Sequence, residues 1–184
     1  MDYRRLNLGC GTDIRHGWVN LDISRDLPGV DVAHDLDDPA LPFADDTFVE
    51  ILAQDVLEHL RDPVATLRDL HRILRPGGRL AIRVPHFTSR NNYIDPTHRT
   101  RFAIEWFDFF VSGSRRRVER PYYFNFAFSR LVEERITFER LSLWTLLNPA
   151  LEWLVNRSRR FRAGYECTAL RVFPADNIRV VLEK

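Results

Sequence analysis

The sequence predicts an α/β protein built on an open, mostly parallel sheet, and three observations carry that reading. Short apolar runs recur along the first half, at Leu6–Leu8, Trp18–Leu21, Val30–His34, Phe48–Ala53 and Arg79–Val84, with loops or a helical pattern between them. Runs of this length and spacing suit parallel strands covered on both faces. Between the last two runs lies a helical pattern with clear start and stop signals. The first run stops at Gly9-Cys10-Gly11 and the second ends on Asp22. Glycines at a strand's carboxyl end let the backbone turn sharply and let a ligand approach without a Cβ in the way. An acidic residue ending the next strand can accept hydrogen bonds from ribose hydroxyls. Together they mark a nucleoside-binding edge of an open α/β sheet.

Each element has its own warrant. The runs above are strands one to five, the third ending on Asp35-Leu36. Only Thr12 to Gly17 separates Gly11 from Trp18, fewer than the dozen or more residues that a parallel crossover normally needs. Either a single helical turn bridges the first two strands, or they are shorter than drawn. Asp55-Val-Leu-Glu58 has the form of a capping box with Asp in place of Ser or Thr. Asp62-Pro63 opens a helix, with a cap residue and proline at the first helical position. Val64, Leu67, Leu70, His71 and Leu74 give it one buried face, and Pro76-Gly77-Gly78 ends it.

The second half is less regular. Residues 86–110 are polar, then strongly aromatic; Ser112–Arg120 is a basic loop. Leu131–Leu141 reads as strand six, Trp144–Phe161 as a helix interrupted at Asn148-Pro149, and Asn177–Leu182 as a last strand. No repeat, linker or low-complexity stretch appears, so 1–184 is expected to be a single domain, with about 86–130 and 142–174 as acceptor-side or covering insertions.

Composition narrows the class. With 184 residues, 45% hydrophobic and 29% charged, the chain has the size and balance of one soluble globular domain. A net charge of +1 gives no reason to expect nucleic acid as a partner. Cys10 and Cys167 form neither a disulfide framework nor a metal-ligand spacing. No apolar leader and no run of roughly 20 apolar residues is visible. Cytoplasmic is the expected location. After Gly11 come Thr12, Asp13, Ile14 and Arg15, so the third glycine of a dinucleotide fingerprint is missing, which argues against a nicotinamide or flavin.

At this point the sequence resembles the class I S-adenosylmethionine-dependent methyltransferases, closest to small bacterial members with a type 11 core. The resemblance rests on five blocks in family order: Leu6-Asn-Leu-Gly-Cys-Gly11; Leu21-Asp22-Ile23; Asp35-Leu36 followed by Leu41-Pro-Phe-Ala-Asp-Asp-Thr-Phe48; Asp55-Val-Leu-Glu-His-Leu60; and Leu70-His-Arg-Ile-Leu-Arg-Pro-Gly-Gly-Arg-Leu80. It implies a Rossmann-like, doubly wound, mostly parallel seven-stranded sheet with a shortened first crossover, and S-adenosyl-L-methionine as cofactor. Gly9, Cys10 and Gly11 would pass under the methionine part, Asp22 would hold the ribose, and Ile23 would pack on the adenine. Asp35 and Leu36 would meet the adenine edge, and Gln54 and Asp55 would lie near the sulfonium. Glu58 and His59 read mainly as structural. The compact stretch Gly17-Trp-Val-Asn-Leu-Asp22 is similar to methyltransferases encoded with cell-surface polysaccharide genes, an analogy about substrate that fold alone does not fix.

Methyl transfer from a sulfonium is an in-line displacement, in which alignment of donor and acceptor is worth roughly 7–11 kcal/mol. A hydroxyl acceptor also needs a general base, most often His, Asp or Glu. His86 follows strand five on the ligand-binding edge, and Asp95 and His98 stand three apart across a proline turn as a candidate carboxylate–imidazole pair. His86, Asp95 and His98 are therefore the catalytic candidates, and 86–102 the expected wall of the acceptor site. As a metal triad they suit divalent ions, but methyl transfer requires none and no metal is expected.

Among partners, a small-molecule or glycan acceptor methylated at oxygen leads. A lipid, quinone or other metabolite comes next, then a cofactor-binding protein without turnover. Ser114–Arg120 reads as a solvated loop before an anion site. The stretch Leu143–Val155 with its following arginines reads as core before an interfacial membrane helix. The oligomeric state is open.

Overall fold

The computed structural model describes residues 4–38, 40–140 and 145–184. Seven strands form one sheet: β1 (Arg4–Leu8), β2 (Val19–Asp22), β3 (Val32–Ala33), β4 (Phe48–Gln54), β5 (Leu74–Pro85), β6 (Arg130–Thr137) and β7 (Asn177–Glu183). Their spatial order is β3-β2-β1-β4-β5-β7-β6. The first five pair in parallel, and β7 runs antiparallel to both β5 and β6. This is the expected doubly wound strand order, with β1 and β4 central and the order reversing between them. Strand three is shorter than expected, Val32–Ala33 against Val30–His34.

The crossovers depart from the expectation of a sheet covered on both faces. Among the described residues no helix lies between β1 and β2, β2 and β3, or β3 and β4. Thr12–Gly17 forms turns, and two asparagines hold it in place of a helix. Asn7 Nδ2 donates to the Asp13 carbonyl at 2.6 Å, and Asn20 Oδ1 accepts from the Arg15 amide at 2.9 Å. The consequence is visible in strand alternation. On one face Ile51, Ala53, Leu80, Ile82, Val180 and Leu182 are buried. Their neighbours Glu50, Leu52, Gln54, Ala81, Arg83 and Val181, which point the other way, are only half-buried. The β1–β2 and β2–β3 connections, at about ten residues each, are too short to return a helix over the sheet.

The helix α1 (Pro63–Ile73) covers the buried face as its pattern demands. Asp62 accepts from the amides of Val64 and Ala65, Pro63 opens the first turn, and Leu67, Leu70 and Ile73 are fully buried. A cap of this kind is worth about 1 kcal/mol. The helix ends at Ile73, and β5 is already under way when the chain passes through Pro76-Gly77-Gly78. Aromatic packing completes this side. The 3-10 turn Ile104–Phe110 carries Phe107, stacked on Phe102, and Phe110, stacked on Phe126; His71 of α1 meets Phe126 and Phe128.

The remaining helices are α2 (Asn91–Ile94), α3 (Arg115–Glu119), α4 (Asn148–Val155) and α5 (Arg159–Cys167). The helix expected over 144–161 is thus two helices. The break falls after Val155 rather than at Pro149, which occupies the first turn of α4, where no amide donor is required. Asn156 sits at the break and exchanges side-chain hydrogen bonds with the Ile136 amide and carbonyl, at 2.9 and 2.7 Å, pinning α4 to β6. The ends of two expected elements, Leu141 and Trp144, lie outside the described residues. Among the described residues of this stretch the core reading holds for Leu151, Glu152 and Val155, while Leu146, Leu147 and Trp153 are exposed. Among the described residues no helix is long and apolar enough to cross a membrane.

Candidate active site

The glycine turn and the end of β2 are built as one unit. Gly9 has φ +60°, and a Cβ there would meet Val56 Cγ2 at 2.5 Å, so both conformation and close approach require glycine. Beyond it the Gly11 amide donates to Asp22 Oδ2 at 2.8 Å, and the Ser24 amide to Asp22 Oδ1 at 3.1 Å. Those two bonds fix the carboxylate while leaving lone pairs for a ligand.

A hollow of about 330 Å³ opens beside this unit. Of the residues expected to hold a cofactor, Gly9, Asp22, Ile23, Asp35, Leu36 and Asp55 line it, joined by His34, Asp37, Val56, His59 and Leu60. Cys10, Gly11 and Gln54 are not among the lining residues. Cys10 is buried in the core, and burial pushes its thiol pKa up. Gly11 is committed to Asp22, and Gln54 lies half-buried at the end of β4. The lining carries Asp22, Asp35, Asp37 and Asp55 and no lysine or arginine. Such a field favours a cationic ligand and repels phosphates. No helix starts at the glycine turn to offer a pyrophosphate its amides.

Asp55 does not act as the cap that the sequence suggested. The 3-10 turn Leu57–His59 is preceded by Val56 and has no side-chain cap. Asp55 sits at φ +55°, a conformation that Asp tolerates better than most residues. Its carboxylate takes a two-pronged bond from Arg83 of β5, with Arg83 Nε at 2.9 Å from Oδ1. The end of β4 is thereby tied to its neighbour strand, and Asp55 stands on the rim between two hollows.

The second hollow, about 480 Å³, is lined by Asp55, Glu58, His59, Arg83, Pro85, Asn91, Ile94, Asp95, His98 and Asn177. It shares Asp55 and His59 with the first. The segment following β5 forms one of its walls. Phe87 N donates to the Phe102 carbonyl at 2.9 Å, closing the segment at its base. The amides of Arg99 and Thr100 both donate to the Glu58 carbonyl, at 2.7 and 3.1 Å, and so bring His98 against the 3-10 turn. His59 and His98 rings meet edge to face, with centroids 4.6 Å apart.

Asp95 faces His98, its Oδ2 3.9 Å from Nε2. It also accepts from the Thr97 amide at 2.8 Å. Hydrogen bonds from Thr97 hold its carboxyl below the usual carboxylate range. Burial, with His59 nearby, lowers the pKa of His98. Glu58 is fully buried, and burial pushes its carboxyl up to about 8, with Asp55 adding to the effect. Sequence reasoning gave Glu58 and His59 a mainly structural role.

His86 is not brought together with Asp95 and His98. It is 0% exposed and lines neither hollow. Its Nδ1 lies 2.8 Å from Thr88 Oγ1 and its Nε2 3.0 Å from Glu166 of α5, whose Oε1 also accepts from the Ile104 amide. Both ring nitrogens are occupied, and Nε2 ties the end of β5 to α5. The basic stretch after Ser112 is likewise internally satisfied in part, with Arg115 paired to Glu119 and Arg116 to Glu105.

Comparison with known proteins agrees with this fold. Residues 6–82 match the family model for a methyltransferase domain. The chain is 33% identical over 102 residues to the methyltransferase GfsG of Streptomyces halstedii, covering 44% of this chain and 37% of that protein. It is 53% identical over 38 residues to an uncharacterized methyltransferase of Schizosaccharomyces pombe, covering 21% and 14%. The chain thus spans under two fifths of the length of the curated relatives it matches. Among solved structures, a methyltransferase from Archaeoglobus fulgidus described as SAM dependent superposes with TM-score 0.62 at 17% identity, covering 100% of this chain and 87% of that one. A putative methyltransferase from Haloferax volcanii, in complex with its Trm112 activator, gives 0.58 at 20% identity, covering 98% and 81%. The [4+2]-cyclase SpnF shares the fold with TM-score 0.54 at 17% identity, covering 99% and 74%, so fold alone does not name the reaction.

Proposed function

We propose that this chain, which carries the class I S-adenosylmethionine-dependent methyltransferase fold and domain, binds the cofactor in the acidic hollow and methylates a small polar acceptor in the adjoining one. The observation that carries the reading is the join between the two hollows at Asp55 and His59. A sulfonium methyl held beside Asp55 would point through that join. Asp22 and Asp35 line the first hollow with no lysine or arginine in its wall, Asp55 and Asp37 being held by Arg83 and Arg61, and they match a ligand bearing a sulfonium and an ammonium group. Asp22 then takes the ribose hydroxyls, Ile23 packs on the adenine, and Asp35, with the Leu36 backbone, meets its polar edge. Gly9 lets the methionine part pass close to the turn.

The acceptor side supports oxygen as the methylated atom. Asn91, Asn177, Arg83 and Asp95 line that hollow, so it offers directing polar groups to a hydroxylated molecule such as a carbohydrate more readily than to a lipid or quinone. The acceptor oxygen attacks the methyl carbon, the C–S bond breaks with its electron pair on sulfur, and the acceptor proton leaves by the side of the hollow that His59, His98 and Asp95 line. The products are a methyl ether and neutral S-adenosylhomocysteine. Segments 86–130 and 142–174 serve in this reading as acceptor-side and covering additions to one domain. The test is a mass-spectrometric screen of hydroxylated small molecules and saccharides with purified protein and cofactor. A product one methyl heavier supports the reading. Failure of S-adenosylhomocysteine to bind in calorimetry removes it.

A further inference from the structure

A cluster that ordinary hydrogen bonding leaves unexplained lies at the join of the two hollows. Glu58 is 0% exposed, yet neither of its carboxylate oxygens has a hydrogen-bond partner. The His98 side chain is 7% exposed, and its Nδ1 is buried without a partner. Buried polar atoms are satisfied in the great majority of cases, and a carboxylate left bare is costly. Glu58, His59 and His98 each present a ligand atom, and these atoms lie within 4.8 Å of one another.

The surroundings orient the two imidazoles as ligands are oriented. Thr97 Oγ1 donates to Asp95 Oδ1 at 2.6 Å, so in its 2.8 Å contact with His59 it accepts, and His59 Nδ1 carries the proton. His59 Nε2 is therefore the nitrogen with a free lone pair. On His98 the Nε2 edge faces Asp95 at 3.9 Å, leaving Nδ1 as the free nitrogen. Asp95 thus sets the His59 ring through Thr97 and stands beside the His98 ring, the kind of outer carboxylate that supports metal-bound histidines.

We propose that Glu58, His59 and His98 form a binding site for a divalent transition-metal ion, with open coordination positions facing the acceptor hollow. Two imidazoles and one carboxylate suit zinc, cobalt, manganese or ferrous iron. The site rests on the proposed function for its role, since an acceptor hydroxyl beside the sulfonium would fill an open position. The ion would lower the pKa of that hydroxyl. Its proton would pass to solvent, and the oxygen lone pair would then form the C–O bond as the C–S bond breaks. The ion, rather than a free histidine, would carry the activation.

The test uses the full chain, stripped with chelator and titrated with Co²⁺ or Zn²⁺ alone. One ion per chain is expected, and for Co²⁺ a visible d–d absorption band. Glu58→Gln, which keeps the side chain's shape, should abolish the band. Thr97→Val, which removes only the hydroxyl orienting His59, should weaken binding roughly 10–100-fold while the far-ultraviolet spectrum stays unchanged. Stoichiometric binding that is equal in the parent chain and both variants would overturn the proposal, as would no binding by the parent. Titration of the same stripped protein with S-adenosylhomocysteine reads the cofactor assignment separately, so either can fail alone.

Discussion

The Gly11 amide donates to Asp22 Oδ2 at 2.8 Å, spanning the tips of β1 and β2 where a crossover helix would ordinarily begin. With no helix to brace the glycine turn, this bond and the Cys10 amide's bond to the Leu21 carbonyl at 2.9 Å hold it. Asp22 is thus a brace for the turn and, in the proposed function, the ribose acceptor. Asp22→Ala should weaken S-adenosylhomocysteine binding by about 1–3 kcal/mol, roughly 5–150-fold, because a lost partner leaves polar groups unpaired. Calorimetry on parent and variant measures this. An unchanged affinity would remove Asp22 from the cofactor site.

Gly9 offers a second test on the same turn. Its positive φ opposes alanine, and so does the 2.5 Å separation that an added methyl group would have from Val56 Cγ2. Strain in this region and the clash should together cost about 1–3 kcal/mol. Urea midpoints should fall accordingly, and cofactor affinity should drop with them as Val56 moves in the hollow's wall. Gly11→Ala, where a Cβ meets nothing within 4 Å, should cost less. Equal loss at the two positions would contradict the packing argument.

How much of this was legible beforehand follows from where the signals are local. The helix over Pro63–Ile73 was readable because cap, proline and apolar period agree within one segment. The two glycines and Asp22 were readable for the same reason. The bare face of the sheet was foreshadowed only at the first crossover, since the strands' apolar runs look alike whether one face or two are covered. Asp55 was misread because its partner Arg83 lies 28 residues on and meets it only through the β4–β5 register. His86 has the right position in sequence and the wrong direction in space, which Glu166, 80 residues away, decides. The convergence of Glu58, His59 and His98 depends on two amides bonding to the Glu58 carbonyl across about forty residues.

Stability should carry a pH signature from Asp108. This carboxyl is buried, and burial raises its pKa to about 6, with Arg159 opposing and Glu134 adding. Its folded pKa exceeds the ordinary aspartate value, so its contribution is full below about pH 4 and is lost as pH rises through 6. At about 1.4 kcal/mol per pKa unit, the loss amounts to about 3 kcal/mol. Asp108→Asn removes the titration. The parent-minus-variant difference in unfolding free energy, from urea melts at pH 4 and 7, should therefore shift by that amount against the parent at the higher pH. A difference independent of pH would refute the assignment.

The two histidines once paired as catalytic candidates should separate cleanly by experiment. His86 is fully buried and bonds Thr88 and Glu166, while Glu166 also takes the Ile104 amide. His86→Ala removes the partner of the half-buried Glu166 carboxylate between β5 and α5, at a cost of about 1–3 kcal/mol. Its turnover, normalised to folded protein at low temperature, should match the parent's. His98 lines the acceptor hollow beside His59, with an unpartnered nitrogen. His98→Gln should leave the melting midpoint nearly in place and lower turnover on the true acceptor roughly 10²–10⁴-fold, the usual range for a group that assists deprotonation. S-adenosylhomocysteine affinity should hold in both variants, because neither side chain lines the cofactor hollow. Thermal melts, calorimetry and initial rates on the two proteins decide the matter together. Loss of turnover in folded His86→Ala, or full turnover in His98→Gln, would reverse the roles given to these residues.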